Sequence, residues 1–212
     1  MPEFDPLTVL FFVVTLVPAI VLHELAHGVV ADRLGDTTPR LAGRLTLNPV
    51  KHADPFGTVI LPGLLLLTRL FGGEAPVFGY AKPMPVNTSN MRNPDRKLMV
   101  IALAGPVTNL VLATVGALVF RVVGIEAGPL TSFLLIWISL NVLLAVFNIM
   151  PIPPLDGSKV VAMFLPPRAR EVYRSLEVYG ALFMLAIFFF FPQAIFAIVD
   201  PIVLGLLRLL VG

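Results

Sequence analysis

Four long apolar runs limit what this chain can fold into. The first, Leu7–Val30, has 24 residues and spans about 36 Å as a helix, which is enough to cross a bilayer. The runs are Leu7–Val30, Leu98–Gly124, Leu130–Met150 and Val178–Val199, and the last continues past Asp200 and Pro201 into Ile202–Val211. Because proline interrupts helices, Pro192 and Pro201 predict that this tail breaks into one full span and a short terminal helix.

The composition supports a membrane protein and excludes most other classes. Charged residues make up 13% of the chain and hydrophobic residues 57%, against about 25% and 45–50% in soluble domains. So few charges cannot cover a surface that faces water, and a net charge of +2 is a poor basis for nucleic-acid binding. We predict an all-α polytopic membrane protein with about five to six transmembrane helices, with the lipid bilayer as its surroundings and no nucleic-acid partner.

The apolar segment Pro55–Phe71 is shorter than the other runs and carries Pro62 and Gly63 in its middle. This pair favours a chain that turns back, which is tolerated at membrane depth where other helices shield it. Re-entry with the N-terminus outside leaves Arg121 as the basic residue of the outer loops, as the positive-inside rule requires, whereas a full crossing places basic residues on both sides. The cytoplasmic set is then Arg33, Arg40, Arg44, Lys51, Arg69, Lys82, Arg92, Arg96, Lys97, Arg168, Arg170 and Arg174.

The surrounding stretch, Arg40–Asn93, is rich in proline, glycine and asparagine. Within it, Arg44–Asn48 and Val77–Lys82 have the pattern of short strands. We therefore predict a small re-entrant, β-containing element on the cytoplasmic side. No separate soluble domain remains, so residues 1–212 are predicted to form a single domain, with a core at about 7–165 and C-terminal helices at about 176–212.

The motif with the clearest chemistry is His23-Glu24-Leu25-Ala26-His27. Histidines at i and i+4 share one helix face, so both imidazoles can reach a single metal ion, and Glu24 can accept a proton from metal-bound water. Ionisable residues inside an apolar span are costly and indicate function. The alternative is a buried histidine pair that serves packing or a proton path, which explains neither the spacing nor the glutamate.

A hydrolytic zinc site needs a third protein ligand, and the chain has no cysteine to supply it. Asp156 is the candidate, because the prolines at 151, 153 and 154 break the preceding helix and let its carboxylate project into the bundle. A carboxylate in this apolar stretch requires a cation. The alternative is that Asp156 caps the helix that follows it.

Three other polar residues each allow two interpretations. Asn148 can donate to a developing oxyanion or cap the end of its own helix. Asn109 can contact substrate or, with Gly105 beside it, hydrogen-bond between tightly packed helices. His52 can reach the metal but is more simply a loop residue paired with Asp54.

These motifs together resemble the site-2 protease family of intramembrane zinc metalloproteases. The resemblance runs from about Leu7 to Leu165 and rests on H-E-x-x-H in an apolar helix followed by N-x-x-P-x-P-P-L-D-G near the end of a later one. Ala104-Gly105-Pro106-x-x-Asn109 and Gly79-Tyr80-Ala81-Lys82-Pro83 also match the family pattern. The chain departs from larger members in lacking a preceding helix and a PDZ or CBS domain, and in carrying the apolar segment around Ile60–Phe71.

The resemblance implies a role for each matched residue. His23, His27 and Asp156 are expected to bind one zinc ion, Glu24 to act as the base, and Asn148 to hold substrate or assist the oxyanion. The segment with Tyr80 and Lys82 is expected to be an edge that accepts an unwound substrate by β-augmentation. By the same analogy, we expect a prokaryotic cytoplasmic membrane as the location.

The sequence thus predicts a zinc-dependent intramembrane endopeptidase. Its expected substrates are membrane proteins, cut within or near their transmembrane segments by metal-bound water that Glu24 activates. The alternative is a metal-binding membrane transporter or a catalytically inactive membrane scaffold, because buried His, Glu and Asp also line ion pathways.

Overall fold

A computed structural model describes residues 5–70, 79–89, 91–124 and 128–212, and these form helices joined by turns. The helices are α1 (Pro6–Arg33), α2 (Thr38–Leu41), α3 (Leu61–Leu70), α4 (Pro94–Val123), α5 (Pro129–Asn148), α6 (Asp156–Phe164), α7 (Pro167–Ser175), α8 (Gly180–Phe190) and α9 (Pro192–Val211). Pro49–Lys51 and Leu176–Tyr179 are 3₁₀ turns, and Pro55–Ile60 is a π-helix that leads directly into α3. The prediction of an all-α polytopic membrane protein is confirmed.

Four helices of the described residues are long and apolar enough to span a membrane: α1, α4, α5 and Gln193–Val211 of α9. The described residues thus show four of the predicted five to six membrane helices. The difference arises in the tail, where the break at Pro192 is confirmed but the break at Pro201 is wrong, because α9 runs through Pro201 to Val211. A proline inside a transmembrane helix is tolerated when its surroundings compensate the freed backbone group.

Helix α4 lies at the centre of the bundle and packs against α1, α5, α6 and α9. Small residues let the neighbouring helices come close: Ala102, Ala113 and Ala117 are buried, and a Cβ on Gly116 would lie 2.6 Å from the Trp137 ring of α5. The C-terminal half of α4 shares an apolar core with α5 and α9. The N-terminal half of α4 carries the residues that face the two histidines of α1.

The predicted β-containing element is wrong for the part of the chain that the structure describes, because neither Arg44–Asn48 nor Gly79–Lys82 forms a strand there. Residues 77 and 78 of the predicted second strand lie outside the described residues. The backbone of Gly79–Lys82 hydrogen-bonds to turns instead: Tyr80 N donates to Gly57 O at 3.0 Å and Lys82 N to His52 O at 2.9 Å. No parallel or antiparallel partner strand is present in these ranges, so no ladder forms.

Buried polar side chains hold together residues 44–57 and 79–84, which we call the surface element. Arg44 is buried and donates to the carbonyls of Lys82 at 2.7 Å and Pro83 at 3.4 Å. His52 bonds through Nε2 to the Thr46 carbonyl at 2.8 Å, so its predicted pairing with Asp54 is wrong. Asp54 instead accepts the first amide hydrogens of the π-helix, from Phe56 and Gly57.

The same kind of anchoring occurs beside α1. Asp36 accepts hydrogen bonds from the backbone of Thr38 at 2.9 Å and of Asn87 at 2.7 Å. Burial raises the pKa of the Asp36 carboxyl, but these hydrogen bonds outweigh it and hold the pKa below its ordinary value. The turn after α1 is thereby tied to the segment that leads into α4.

The segment after Pro55 enters and leaves on one side of the bundle. Its helix does not turn back at Pro62-Gly63, contrary to the sequence prediction, but continues to Leu70. Tyr80 nevertheless returns to Gly57, and Lys97 Nζ of α4 donates to the Leu34 carbonyl at the end of α1 at 2.9 Å. Because α4 begins beside the end of α1, the segment between them returns to the side of the bundle on which it started.

Candidate metal centre

Helix α1 brings two histidines to one face. His23 and His27 lie one turn apart and both are buried, at 7% and 6% exposure. Their rings pack edge to face with centroids 4.7 Å apart. His23 lies seven residues, or roughly 10 Å, before the apolar run ends at Val30, so the pair sits inside the span rather than at its surface.

Asp156 approaches the two histidines from the first turn of α6. The proline-rich turn after α5 redirects the chain so that α6 packs against α4. Oδ2 of Asp156 lies 3.1 Å from Nε2 of His23 and 3.1 Å from Nε2 of His27. The alternative that Asp156 is a helix cap is wrong, because Leu155 occupies the N-cap position and no side chain caps this helix.

The other nitrogen of each imidazole is bound to a hydrogen-bond acceptor. Nδ1 of His23 lies 2.5 Å from Asn109 Oδ1, and Nδ1 of His27 lies 2.7 Å from the Ile101 carbonyl. Since both partners accept, each Nδ1 carries the proton and each Nε2 keeps its lone pair. Second partners of this kind typically fix the orientation of metal-binding histidines.

The resulting cluster suits a zinc ion. Two imidazole lone pairs and a carboxylate oxygen repel one another unless a cation lies between them, and the three ligand atoms lie within 4.8 Å of one another. Donors bound at about 2.0–2.1 Å to one tetrahedral zinc lie roughly 3.3 Å apart, close to the 3.1 Å observed from Asp156 to each histidine. The donor set, two histidines and one carboxylate, is typical of catalytic zinc.

Lys159, which the sequence analysis did not single out, and Gly105 complete the surroundings of Asp156 and the rings. Lys159, one turn along α6, donates to Asp156 Oδ1 at 3.2 Å and so leaves Oδ2 to face the histidines. A Cβ on Gly105 of α4 would lie 2.5 Å from both Nε2 atoms. Only a residue without a side chain lets the rings lie against α4.

Glu24 follows His23 directly on α1. Its Oε2 atom is buried and has no hydrogen-bond partner in the part of the chain that the structure describes. A buried carboxylate oxygen without a partner is costly. Beside the three candidate metal ligands, this oxygen is available to a proton or to a water molecule.

The remaining predicted residues occupy different places. Asn109 is fully buried and joins α4 to α1 and α5, as the packing interpretation expected. Asn148 Nδ2 donates to the Leu144 carbonyl of its own helix at 2.9 Å. Tyr80 and Lys82 lie in the surface element, whose Met84 packs against α1 at Gly28, the residue after His27.

One further residue of this network was missed. Asn141 on α5 is fully buried and accepts a hydrogen bond from Asn109 Nδ2 at 2.9 Å. An asparagine in the middle of an apolar run could have indicated it, because polar side chains between membrane helices hydrogen-bond across them.

Comparison with known proteins agrees with this geometry. The model of peptidase family M50 matches residues 11–127 and 123–191. The Bacillus subtilis protein named "Putative zinc metalloprotease YwhC" is 38% identical over 194 residues, which are 87% of this chain and 83% of that protein. "Putative zinc metalloprotease Rip2" of Mycobacterium tuberculosis is 29% identical over 80% of this chain and 63% of its own length.

An archaeal relative is similar over a comparable region. A protein of Methanocaldococcus jannaschii with the same kind of name is 30% identical over 76% of this chain and 73% of its own length. No solved structure matches. Since the family match covers most of the chain, the chain belongs to peptidase family M50, the site-2 protease family, and is an integral membrane metalloprotease.

Proposed function

We propose that this metalloprotease is a zinc-dependent intramembrane endopeptidase that hydrolyses peptide bonds within or near the transmembrane segments of other membrane proteins. The observation that carries the proposal is the convergence of His23, His27 and Asp156 inside the span of α1, next to the unpartnered Glu24. A hydrolytic centre at that depth reaches bonds that soluble proteases cannot reach.

The metal chemistry requires only groups that the structure brings together. His23, His27 and Asp156 would hold one zinc ion, which supplies Lewis acidity when bound. The hydrogen bonds to Asn109 and Ile101 keep both imidazoles in the tautomer that can ligate. Lys159 neutralises the second oxygen of Asp156 and limits that carboxylate to one free oxygen.

Proton transfer is assigned to Glu24. Its free Oε2 accepts a proton from the attacking water and later returns it to the leaving amine, which is the usual role of a general base that becomes a general acid. Asn148 is proposed to assist the oxyanion. Its Nδ2 donates one hydrogen to the Leu144 carbonyl, which leaves its second N–H to donate to the oxyanion.

The surface element is proposed to bind the substrate backbone. Along Gly79–Lys82, the amide of Tyr80 donates to the Gly57 carbonyl and the amide of Lys82 donates to the His52 carbonyl. Ala81 therefore points the opposite way, and in the described residues its amide and carbonyl have no hydrogen-bond partner. A substrate unwound from its helix can add to this edge by β-augmentation.

The orientation in the membrane follows from the charges. We propose that the N-terminus is outside and that the side where α1 ends and α4 begins is cytoplasmic, since most of the lysines and arginines lie there. Arg208 would share the outer side with Arg121, because Arg121 donates to the neighbouring Leu209 carbonyl at 3.1 Å. The membrane is proposed to be a prokaryotic cytoplasmic membrane, as expected for relatives from bacteria and an archaeon.

The test is cleavage in proteoliposomes. Wild type and Glu24→Gln are each mixed with a panel of single-span membrane proteins, and the products are identified by mass spectrometry. We expect cuts inside the spans by wild type alone, a loss of at least about 100-fold in Glu24→Gln, unchanged zinc content in that variant, and no cleavage after chelation.

Two results would contradict the proposal. Equal cleavage by Glu24→Gln removes Glu24 from the mechanism. Transport of zinc into the liposomes by a protein that cleaves nothing on the panel supports the transporter alternative instead.

A further inference from the structure

An acidic side chain lies in the middle of a membrane span and faces away from the protein. Asp200 belongs to the apolar segment Gln193–Val211 of α9 and is exposed. In the part of the chain that the structure describes, its carboxylate has no hydrogen-bond or ion-pair partner. An ionisable residue at this place is costly and indicates a functional site with a partner.

Two measures place Asp200 near the middle of the bilayer. It lies seven residues after Gln193, or roughly 10 Å along a span of roughly 28 Å. The hydrogen bond from Arg121 to the Leu209 carbonyl aligns the outer ends of α4 and α9. Nine residues separate Asp200 from Leu209, so Asp200 lies roughly 13 Å below that end, beside the middle of the apolar part of α4.

A second acceptor lies next to the carboxylate. Pro201 is inside α9 and has no N–H, so the carbonyl of Ala197 lacks its usual helical donor. Ala197 precedes Asp200 by three residues and therefore shares its side of the helix, and both residues are exposed. This side of α9 thus presents two acceptors and a small residue to the hydrocarbon core, where unsatisfied polar groups are not tolerated.

The opposite side of α9 is already occupied. Ile195 and Val199 are buried in the core shared with α4 and α5. The face at Ala197 and Asp200 is turned away from that core, and in the part of the chain that the structure describes α9 packs mainly against α5, α4 and α8. The two acceptors therefore do not belong to the metal centre.

A second copy of this chain is a poor partner for this face. Copies inserted in the same direction place Asp200 against Asp200 at equal depth, and like charges repel. The spans also offer no cation at that depth, because Leu7–Val30, Leu98–Phe120, Leu130–Met150 and Leu176–Leu207 contain no lysine or arginine. The missing partner must bring positive charge and several hydrogen-bond donors, as a lysine or arginine does.

We propose that the outer face of α9, centred on Ala197 and Asp200, binds a transmembrane helix of a partner membrane protein that carries a lysine or arginine near the middle of its span. The cation pairs with the Asp200 carboxylate and donates to the Ala197 carbonyl. The small side chain of Ala197 lets the partner helix approach closely, as at other interfaces between membrane helices. This inference is independent of the proposed cleavage reaction.

The experiment measures energy transfer in vesicles between the full-length protein and synthetic single-span peptides. The chain has no cysteine, so Gly212→Cys gives a single site for a donor dye, and the peptides carry the acceptor. One peptide is a leucine–alanine helix with a central lysine, and the matched peptide has leucine at that position. We expect the lysine peptide to bind about tenfold more tightly.

Three variants test the face itself. Asp200→Asn keeps the shape and removes the charge, and it should abolish the preference for lysine. Ala197→Leu covers the free carbonyl and should weaken binding of the lysine peptide severalfold. Ile198→Phe adds bulk at an exposed position that lies about 100° from Ala197 and about 160° from Asp200 around α9, and it should leave binding unchanged.

Any of three results overturns the proposal. The first is equal binding of both peptides by wild type. The second is an undiminished preference for lysine in Asp200→Asn. The third is energy transfer between labelled copies of the protein that Asp200→Asn removes, since this would make the face an interface between copies.

Discussion

At the scale of single residues, the metal centre depends on a position without a side chain. Gly105 lies against the two imidazoles, and a Cβ there would lie 2.5 Å from Cε1 and Nε2 of His23 and from Nε2 of His27. Real carbon atoms do not approach that closely, and close-packed interiors relax only partly. A single methyl group would therefore push the ligating nitrogens away from their common point.

We expect Gly105→Ala to lower zinc affinity by at least about tenfold and to abolish peptide cleavage. The measurement is competition with a chromophoric zinc chelator, with the zinc content of the purified protein determined by mass spectrometry. Gly205→Ala is the matched control, because a Cβ on Gly205 meets nothing within 4 Å, and it should keep both zinc and activity. Wild-type zinc affinity in Gly105→Ala would show that the rings are not held against α4.

The convergence of the three candidate metal ligands could be predicted from the sequence, and most of their supporting partners could not. His23 and His27 are one helix turn apart, and the prolines immediately precede Asp156, so both signals are visible within a short stretch of sequence. The partners of the imidazoles, Asn109 and Ile101, lie 86 and 74 residues away from them. No local pattern specifies such pairs, because they form only when α1 and α4 pack.

At the scale of elements, a line of buried amides joins three membrane helices. The Trp137 carbonyl of α5 accepts from Asn141 Nδ2 at 2.9 Å, Asn141 Oδ1 accepts from Asn109 Nδ2 at 2.9 Å, and Asn109 Oδ1 faces Nδ1 of His23 at 2.5 Å. A carbonyl can only accept, so it fixes the orientation of each amide in turn. Helix α5 thereby determines which nitrogen of a histidine on α1 is free for the metal.

We expect Asn141→Leu to weaken zinc binding by about 10- to 100-fold, as for other partners of metal ligands, although Asn141 touches neither the metal ligands nor Glu24. The free energy of unfolding should fall by about 1–3 kcal/mol, because the Asn109 amide keeps only its long bond to the Ala19 carbonyl, at 3.4 Å. Thr114→Val is the control on α4, since that hydroxyl bonds only to the Leu110 carbonyl of its own helix. Unchanged zinc affinity in Asn141→Leu would exclude a role for α5.

The boundaries of helices could be predicted where a local property of the sequence sets them, but not where tertiary packing sets them. Three long spans agree with the apolar runs, because length and hydropathy suffice to define them. The tail was misjudged because Pro201 is accommodated within α9, packed on α4 and α5 through Ile195 and Val199. The strands were misjudged because Arg44 and His52 satisfy backbone carbonyls that a sheet would otherwise pair.

At the scale of the whole molecule, most basic residues lie on one side of the bundle, the side where α1 ends and α4 begins. Arg170 and Arg174 of α7 both pair with Asp95 at the start of α4, and Arg170 also donates to the Leu165 carbonyl at 2.8 Å. These contacts place α7 on the same side as the end of α1, where most basic residues lie. The positive-inside rule predicts that this side is cytoplasmic and that the ends of α4 and α9 at Val123 and Val211 lie on the opposite side.

Single cysteines in this cysteine-free chain test that arrangement. Lys51→Cys and Glu171→Cys place exposed thiols on the proposed cytoplasmic side, and Gly212→Cys places one at the outer end of α9. With a membrane-impermeant maleimide on intact cells, we expect labelling of Gly212→Cys alone, and labelling of all three after permeabilisation. All three variants are first checked for wild-type zinc content.

The other labelling patterns have distinct meanings. The reverse pattern would mean that the protein has the opposite orientation in the membrane, with its N-terminus inside. Labelling of Lys51→Cys and Glu171→Cys from opposite sides would mean that the segment after Pro55 crosses the bilayer, which contradicts the hydrogen bond from Lys97 to Leu34. Because that bond ties the start of α4 to the end of α1, the two thiols must share one side in any arrangement that preserves the metal centre.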